Sequence, residues 1–577
     1  MKYAPGGISM EGGKIRRIHF VEFNARINTL GSLGPPIFTK YGSLLLASIM
    51  SEKGYDVRYF LEGTSTMDFS VLSDADALCL PVFAPALNKV REFAGRVLRE
   101  RPGIPVILGG PQVCYFPETV LDRCTYAVRC EGDEALPRLV ERLNSGGDVR
   151  DIAGISYLSN GKAVHNPDCV PPEIPKIIPD VTLIEGFDRA KPRIRGLHTV
   201  INTLQTTRGC RFRCKFCPVH RLFQGVFRNR DMDSIIADIR KRMPYNDHFF
   251  VVDNDFCSDR KNARALLERI IREDLGAQFV IFERHEIGRD REMLDLLHRA
   301  GVRIIIMGVE SLLDKSLKAF NKRQTHEEVV SSIRNITDAG MNVLSTFVLG
   351  YDEDTPQSAE ELIGFVTKYH LILNLFILHD LEEDETKDLL IPLNRRFMTH
   401  YAGTAPGDLS FWDYMTGSFV SYFPKRMKPS TLQRLIFHIN DRSFSHWNIL
   451  QDVFSPDLFR SFFGIAVGYG MKRVNRNLRR FAEKGYLDYL EEIEQGLYDG
   501  QEVLREEKLA SLKGLPLPPR VREFTDTPYY RVHTTMALIP ALLRYAFVRK
   551  DLKAGAGLPG RKGERSELRV SQGNPRA

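Results

Sequence analysis

The chain has 577 residues, 43% hydrophobic and 27% charged, with a net charge of +7. That length exceeds one ordinary core and predicts two or three domains, while the composition is that of a globular, soluble protein. The basic excess is mild and sits largely in the C-terminal tail, so no nucleic acid partner is expected. Nine cysteines, three of them in one tight group, do not form the pattern of a secreted disulfide scaffold; they predict a reducing, cytoplasmic compartment. The first residues carry Glu11 and several Gly rather than a basic stretch and an apolar core, so no signal peptide is expected. No run of about 18 apolar residues occurs, so no transmembrane helix is expected either.

The N-terminal third alternates strands and helices. Strands are predicted at Ile18–Phe23, Asp56–Leu61, Ala77–Pro81, Pro105–Leu108 and Tyr126–Arg129. Helices are predicted at Tyr41–Lys53, Lys89–Arg101 and Glu134–Asn144, with a short one near Pro117–Arg123. This is a doubly wound, Rossmann-like α/β pattern with a parallel sheet, which binds ligands at the carboxyl ends of its strands. Gly109 and Gly110 fall at one such end, where missing Cβ atoms let a ligand approach the backbone. No G-x-G-x-x-G follows the first strand, which argues against a dinucleotide. Cys79, Cys114, Cys124 and Cys169 read as packing residues or surface thiols. From 148 to 197 the chain turns Pro-rich after a hairpin turning at Asn160-Gly161, and reads as a linker lying across both domains.

The stretch T-T-R-G-C-R-F-R-C-K-F-C-P, Thr206 to Pro218, follows. Three residues separate Cys210 from Cys214, and two separate Cys214 from Cys217. Thiolates crowded this closely suit a metal better than a disulfide framework. They fall one short of a closed set, which would leave one iron of a Cys-held cluster open. Arg208, Arg211, Arg213 and Lys215 add positive charge that favours thiolates. The alternative is a zinc knuckle borrowing a fourth ligand such as His220.

From Thr199 onward strands are predicted at Val200–Thr206, His248–Val252, Gln278–Glu283, Val302–Gly308, Asn342–Leu349 and Leu371–Leu378, with helices between. Six β/α units make a partial TIM-type barrel whose site lies at the strand C-terminal ends. Those ends carry Asp253, Asn254 and Asp255, then Glu283, Arg284 and His285, then Glu310 and Ser311. Asp255 reads equally as a helix N-cap. A structural role is the simpler reading for His285 and for Cys257, beside substrate proton transfer and radical quenching respectively. Beyond Pro392 aromatic and basic residues rise, and helices are predicted at Ser430–Ile439, Gln451–Phe463 and Asn475–Tyr498. The apolar Thr534–Val548 and the basic tail from Arg549 read as a packed terminal helix with a disordered end. The alternative is a peripheral membrane contact that would suit a lipid-like substrate.

The arrangement C-R-F-R-C-K-F-C resembles the C-x-x-x-C-x-aromatic-C signature of the radical S-adenosylmethionine (SAM) enzymes. The resemblance implies a 4Fe-4S cluster on Cys210, Cys214 and Cys217, SAM on the open iron, and Phe216 beside the adenine. It further implies that M-G-V-E-S holds SAM, with Glu310 a polar contact and Asp253 a further cofactor contact. F-V-L-G-Y-D-E-D-T resembles F-I-x-G-x-P-G-E-T, with Asp352-Glu353 replacing Pro-Gly. P-V-I-L-G-G-P-Q and C-E-G-D-E-A-L are similar to the L-G-G-P-H and G-E-G-E motifs of the cobalamin-binding domain ahead of many radical SAM cores; Gln112 and Cys130 depart from them. That likeness implies cobalamin near Gly109, Gly110, Pro111, Gln112, Glu131 and Gly132. The expected organisation is a cobalamin-binding domain over residues 1–150, a linker over 151–197, a radical SAM core over 198–395, and a C-terminal helical cap with its basic tail over 396–577. The implied function is a cobalamin-dependent radical SAM C-methyltransferase acting on a small or apolar molecule, with a reducing donor such as flavodoxin or ferredoxin. The alternatives are a radical oxidoreductase, cyclase or C–C coupling enzyme without methyl transfer, and a cobalamin- or zinc-binding regulatory protein.

Overall fold

Runs such as V-I-L-G at 106–109 and V-R-I-I-I-M-G-V-E at 302–310 are apolar along most of their length, as strands covered on both faces must be. The computed structural model describes residues 14–25, 37–38, 40–187, 200–379, 389–398, 409–445, 458–509, 515–516, 518–519 and 521. Its first strands are β1 (Arg17–Glu22), β2 (Ile37–Phe38), β3 (Asp56–Leu61), β4 (Ala77–Pro81), β5 (Val106–Gly109), β6 (Tyr126–Val128), β7 (Ile155–Ser159) and β8 (Lys162–His165). All but β2 form one sheet in the order β3-β1-β4-β5-β6-β7-β8. The first five are parallel and the last two antiparallel. Counting only the parallel strands, the order is 2-1-3-4-5, a doubly wound sheet whose switch point lies between β1 and β4.

The hairpin that the sequence reading assigns to the linker is thus the antiparallel edge of this sheet. Asn160 and Gly161 both take positive φ, 53° and 73°, the geometry of a two-residue turn matched to strand twist. Helices Tyr41–Glu52 and Gly132–Asn144 cover one face of the sheet and helix Leu87–Glu100 the other. A helix not foreseen, Pro111–Tyr115, starts directly after β5 with Pro at its first position.

The second unit contains β9 (Val200–Leu204), β10 (Thr207–Arg208), β11 (Arg228–Asn229), β12 (His248–Val251), β13 (Gln278–Glu283), β14 (Val302–Glu310), β15 (Asn342–Leu349) and β16 (Ile372–Ile377). Its sheet runs β16-β15-β14-β13-β12-β9-β2, parallel throughout. The six expected barrel strands are present in sequence order, and β2, donated from the N-terminal segment, lies beside β9. Alternate positions Phe250, Val280, Phe282, Ile304, Ile306 and Leu344 form one apolar cluster; their neighbours pack against the outer helices, the two-sided pattern of a barrel wall. Those helices start at capping residues: Asp231, Asp259 and Asp290 accept from Ser234, Asn262 and Met293 N–H groups, and Thr325 with Glu328 forms a capping box.

The C-terminal segment is helical at Pro429–Ser443 and Leu458–Phe481. Instead of a break between 463 and 475, one helix runs through, followed by a kink at Gly485 (φ 130°) and helix Leu487–Ile493. Residues 409–423 bridge the two sheet units. Trp412 is buried against Phe116 with ring centroids 5.0 Å apart, and Asn88 Nδ2 donates to Leu409 O at 2.9 Å. Thr534–Val548 and the basic tail lie outside the described residues.

Candidate active site

The cysteine loop follows β9 at the carboxyl end of the barrel. It opens with β10 pairing antiparallel to β11, so Thr207–Arg208 and Arg228–Asn229 form its base. Gly209 has φ 89°, and a Cβ there would collide with Val226 O; only glycine fits immediately before Cys210. Asp253, past the end of β12, is buried and accepts from Thr206 N at 2.7 Å and from the Thr206 hydroxyl. Its carboxylate therefore braces the root of the loop, and burial pushes it up to about 6. From the other side, Phe320 O accepts from Lys215 N at 3.0 Å and Asn321 Nδ2 donates to Arg213 O at 2.8 Å. The K-A-F-N-K-R-Q stretch after β14 is thus a wall of the cysteine loop.

Cys210, Cys214 and Cys217 are half-buried free thiols. Burial raises Cys210 and pushes Cys217 up to about 11, so thiolates here require cationic compensation. Arg284, at the end of β13, provides part of it: Nη1 stands 3.9 Å from Cys214 Sγ, and its guanidinium lies 3.7 Å from the Phe212 ring centroid. Three thiols on one braced loop fit an iron–sulfur cluster held by three cysteines. Among the described residues no three His, Cys, Asp or Glu side chains are grouped to hold a single ion, the three thiols included.

Phe216 packs edge-on against Phe320, 5.3 Å between centroids, and Phe320 against Tyr351 at 5.1 Å. Glu310 is buried at the end of β14 with φ 66° and takes Lys322 Nζ on Oε1 at 2.7 Å. A Cβ on Gly308 would overlap both partners of that pair; the glycine of M-G-V-E-S makes room for it. Gln324 Nε2 fixes the same turn by donating to Val309 O at 2.8 Å. Glu283 Oε1 accepts from Cys257 N and its Oε2 from Arg284 N at 3.3 Å, with the Asp255 charge nearby. Burial, then the Asp255 charge, pushes Glu283 up to about 8, and burial raises Asp255 as well. His285 is buried between Glu286 and Glu328, at 3.1 and 3.6 Å, a structural position. Asp352 and Glu353, where the related motif has Pro-Gly, reach the C-terminal segment. Asp352 pairs with Arg395 at 2.6 Å and Lys425 at 3.1 Å, and Glu353 lies 3.6 Å from Arg426.

The first sheet presents its own carboxyl ends to this loop. Tyr115, at the end of the helix that starts at Pro111, donates Oη to Pro218 O at 2.8 Å. Gly109 ends β5, and a Cβ there would meet only ordinary contacts, while Gly110 (φ 102°) lies tight against the Val82 backbone. Phe83, just past β4, keeps 41% of its surface exposed. The two missing Cβ atoms thus make room for the protein's own Val128 and Val82 and not for a ligand, contrary to the expectation from sequence; the surface that fits a broad, partly apolar ligand such as a corrin at these adjacent strand ends is the exposed Phe83 ring. The remaining residues drawn from the motif resemblance are engaged within the protein. Gln112 is buried, with Nε2 on Thr119 Oγ1 at 3.3 Å. Glu131 accepts from Arg208 and Arg228, so it joins the two units and presents no unengaged carboxylate. Gly132 packs against Leu46. Sequence reasoning missed Tyr115, Lys322 and the Arg208–Glu131–Arg228–Asp133 network; only the adjacency of Arg208 to Gly209-Cys210 hinted at the last.

Residues 204–366 match the model of the radical SAM superfamily. An uncharacterized methyltransferase of Pyrococcus horikoshii is 24% identical over 351 residues, 59% of this chain and 74% of that protein. The anaerobic magnesium-protoporphyrin IX monomethyl ester cyclase of Rubrivivax gelatinosus is 26% identical over 57% of this chain and 61% of its own length. Among solved structures, the radical S-adenosylmethionine methyltransferase TsrM of Kitasatospora setae, with cobalamin and a [4Fe-4S] cluster bound, superposes with a TM-score of 0.57. That match has 15% identity and covers 81% of this chain and 100% of that one. At that identity the likeness speaks for the fold.

Proposed function

We propose that this chain, a member of the radical SAM superfamily through residues 204–366, is a cobalamin-dependent enzyme that methylates an unactivated carbon of a small or apolar molecule. The observation that carries the reading is the joining of two ligand edges. The glycine turn after β5 and the cysteine loop after β9 are tied together by Tyr115–Pro218 and by Arg208–Glu131. Groups held at the two edges would face one substrate volume. When bound, the cluster with SAM supplies hydrogen abstraction and cobalamin supplies the methyl group.

The chain's own residues do the positioning. Cys210, Cys214 and Cys217 would hold the iron, and Arg284 offsets the negative charge of their sulfurs. Phe216, packed on the buried Phe320, gives the loop its apolar side, while the exposed Phe212 ring covers Arg284. Glu310, held by Lys322, offers the polar edge at β14 suited to an amino acid moiety. Gly109 and Gly110, with Pro111, form the turn at the facing edge, next to the exposed Phe83 ring. The basic surface of the loop, with Arg211 54% exposed, suits an acidic electron donor of the flavodoxin or ferredoxin kind.

Anaerobically prepared full-length protein is expected to take up cobalamin and iron, and to cleave SAM to deoxyadenosine. With SAM carrying a labelled methyl group, label is expected in product. A second reading, radical oxidation or cyclization without methyl transfer, is favoured by the cyclase among the relatives; product lacking the label would establish it in place of the first. Protein that binds neither iron nor SAM would remove both.

A further inference from the structure

Cys130 stands where the related G-E-G-E motif has glycine. Its backbone is in the left-handed region, φ 59°, a conformation that glycine adopts without steric cost and a residue with a Cβ does not. In this chain a thiol stands at this point despite that cost. Across from it lies Cys169, which the sequence alone assigns to packing or the surface. One side-chain nitrogen, Gln224 Nε2, reaches both the Cys130 sulfur and the Cys169 carbonyl. Both cysteines are half-buried, and the next residue, Val170, is 86% exposed.

The surroundings hold the two chains in register. Arg129, preceding Cys130, donates to Gly154 O through its backbone at 2.7 Å and clamps Asp168 and Asn166 O with its guanidinium. Gly154 N donates to Pro167 O at 2.7 Å, and a Cβ on Gly154 would lie 3.5 Å from Cys169 Sγ. Gln224, four residues past His220 on the chain leaving the cysteine loop, donates Nε2 to Cys130 Sγ at 3.4 Å and to Cys169 O at 2.9 Å. A third thiol, Cys114, is turned away, donating to Cys130 O at 3.4 Å.

We propose that Cys130 and Cys169 form a redox-active dithiol that closes to a disulfide by exchange with a low-molecular-weight disulfide. The thiolate of one cysteine attacks the small disulfide, forming a mixed disulfide and releasing one small thiol. The second cysteine then attacks the protein-side sulfur and releases the other. The protein loses two electrons and two protons, and both appear on the two small thiols. The chemistry favours Cys130 as first attacker: the neighbouring Cys169 side chain lowers its thiol to about 7. Burial pushes Cys79 and Cys114 up to about 12 and raises Cys124 and Cys257 as well, which disfavours the thiolate at all four. Closure would fix the 166–172 segment to the end of β6 and take away the thiol that Gln224 contacts.

The test uses the full-length holoprotein under strict anaerobiosis, equilibrated with oxidised and reduced glutathione at varied ratios. Free thiols are then blocked with one alkylating reagent, reduced, and labelled with a second. The expected result is a Cys130–Cys169 linked peptide rising to full occupancy with excess oxidised glutathione, while Cys79, Cys124 and Cys257 carry only the first label. Cys130→Gly, which restores the residue the backbone favours and should fold, is expected to lose the linked peptide and keep its iron content. Cys169→Ser is expected to trap a glutathione adduct on Cys130. Both cysteines taking the first label at full excess of oxidised glutathione, or either linking to Cys114, would overturn the proposal.

Discussion

Replacing Arg208 with Met tests how the two sheet units are held together. The side chains of Arg208, Glu131 and Asp133 are only 6%, 8% and 6% exposed. Arg208 also donates Nε to Gln205 Oε1 at 2.8 Å. Without the guanidinium, Glu131 keeps Arg228, but Asp133 loses the cation it is built against and remains a buried carboxylate. Removing one member of such a pair costs about 3 to 5 kcal/mol. The loss is expected as a lower urea midpoint and, because Arg208 lies two residues before Cys210, as reduced iron retention after anaerobic reconstitution. Adding Asp133→Asn to Arg208→Met removes the orphan charge. It is expected to recover more than half of the loss, since a neutral buried amide costs roughly 1 to 3 kcal/mol. If Arg208→Met unfolds at the wild-type midpoint with full iron, or if Asp133→Asn makes it worse, the network does not join the units as argued.

Gly209→Ala puts a methyl group into Val226 O at positive φ and is expected to abolish iron binding while leaving the far-ultraviolet circular dichroism of the sheets intact. Asp354 is buried, accepts from Gly350 N at 2.8 Å and Tyr351 N at 3.0 Å, and burial pushes it up to about 7. The folded state therefore holds a proton that the unfolded chain releases near 4. Its contribution to stability is greatest below that point and falls as pH rises to about 7, with a slope of up to about 1.4 kcal/mol per pH unit. Asp354→Asn keeps an acceptor for both N–H groups and is expected to raise the urea midpoint at pH 8 more than at pH 4; equal shifts would refute the assignment. Among the described residues no helix is long and apolar enough to cross a membrane. Deleting residues 530–577 is expected to leave sedimentation with anionic liposomes unchanged, and a loss of co-sedimentation would establish the peripheral contact instead.

The barrel strands were legible because each is a short, nearly continuous apolar run between helix caps; β13 and β15 have the same bounds from sequence and structure. The three cysteines stood out because their spacing is local. What escaped was long-range or strained. Helix Pro111–Tyr115 is five residues long and shows no periodicity. The hairpin of β7 and β8 looked like linker because its partner β6 pairs through only Ala127 and Val128. The roles of Glu131 and Asp253 could not be seen from motif position, since both carboxylates are taken up by partners distant in sequence, Arg208 with Arg228 and Thr206. Asp352-Glu353 departs from the motif for a reason distant in sequence, since Arg395, Lys425 and Arg426 receive the two carboxylates.

The most direct measurement is metal content per chain of full-length protein reconstituted without oxygen, compared with Cys210→Ser, Cys214→Ser and Cys217→Ser. The account predicts about four irons with matching sulfide in the unaltered chain, a change in the cluster's electron paramagnetic resonance signal when SAM is added, and loss of iron in each variant. Stoichiometric zinc without iron, or a cluster that survives all three substitutions, would contradict it.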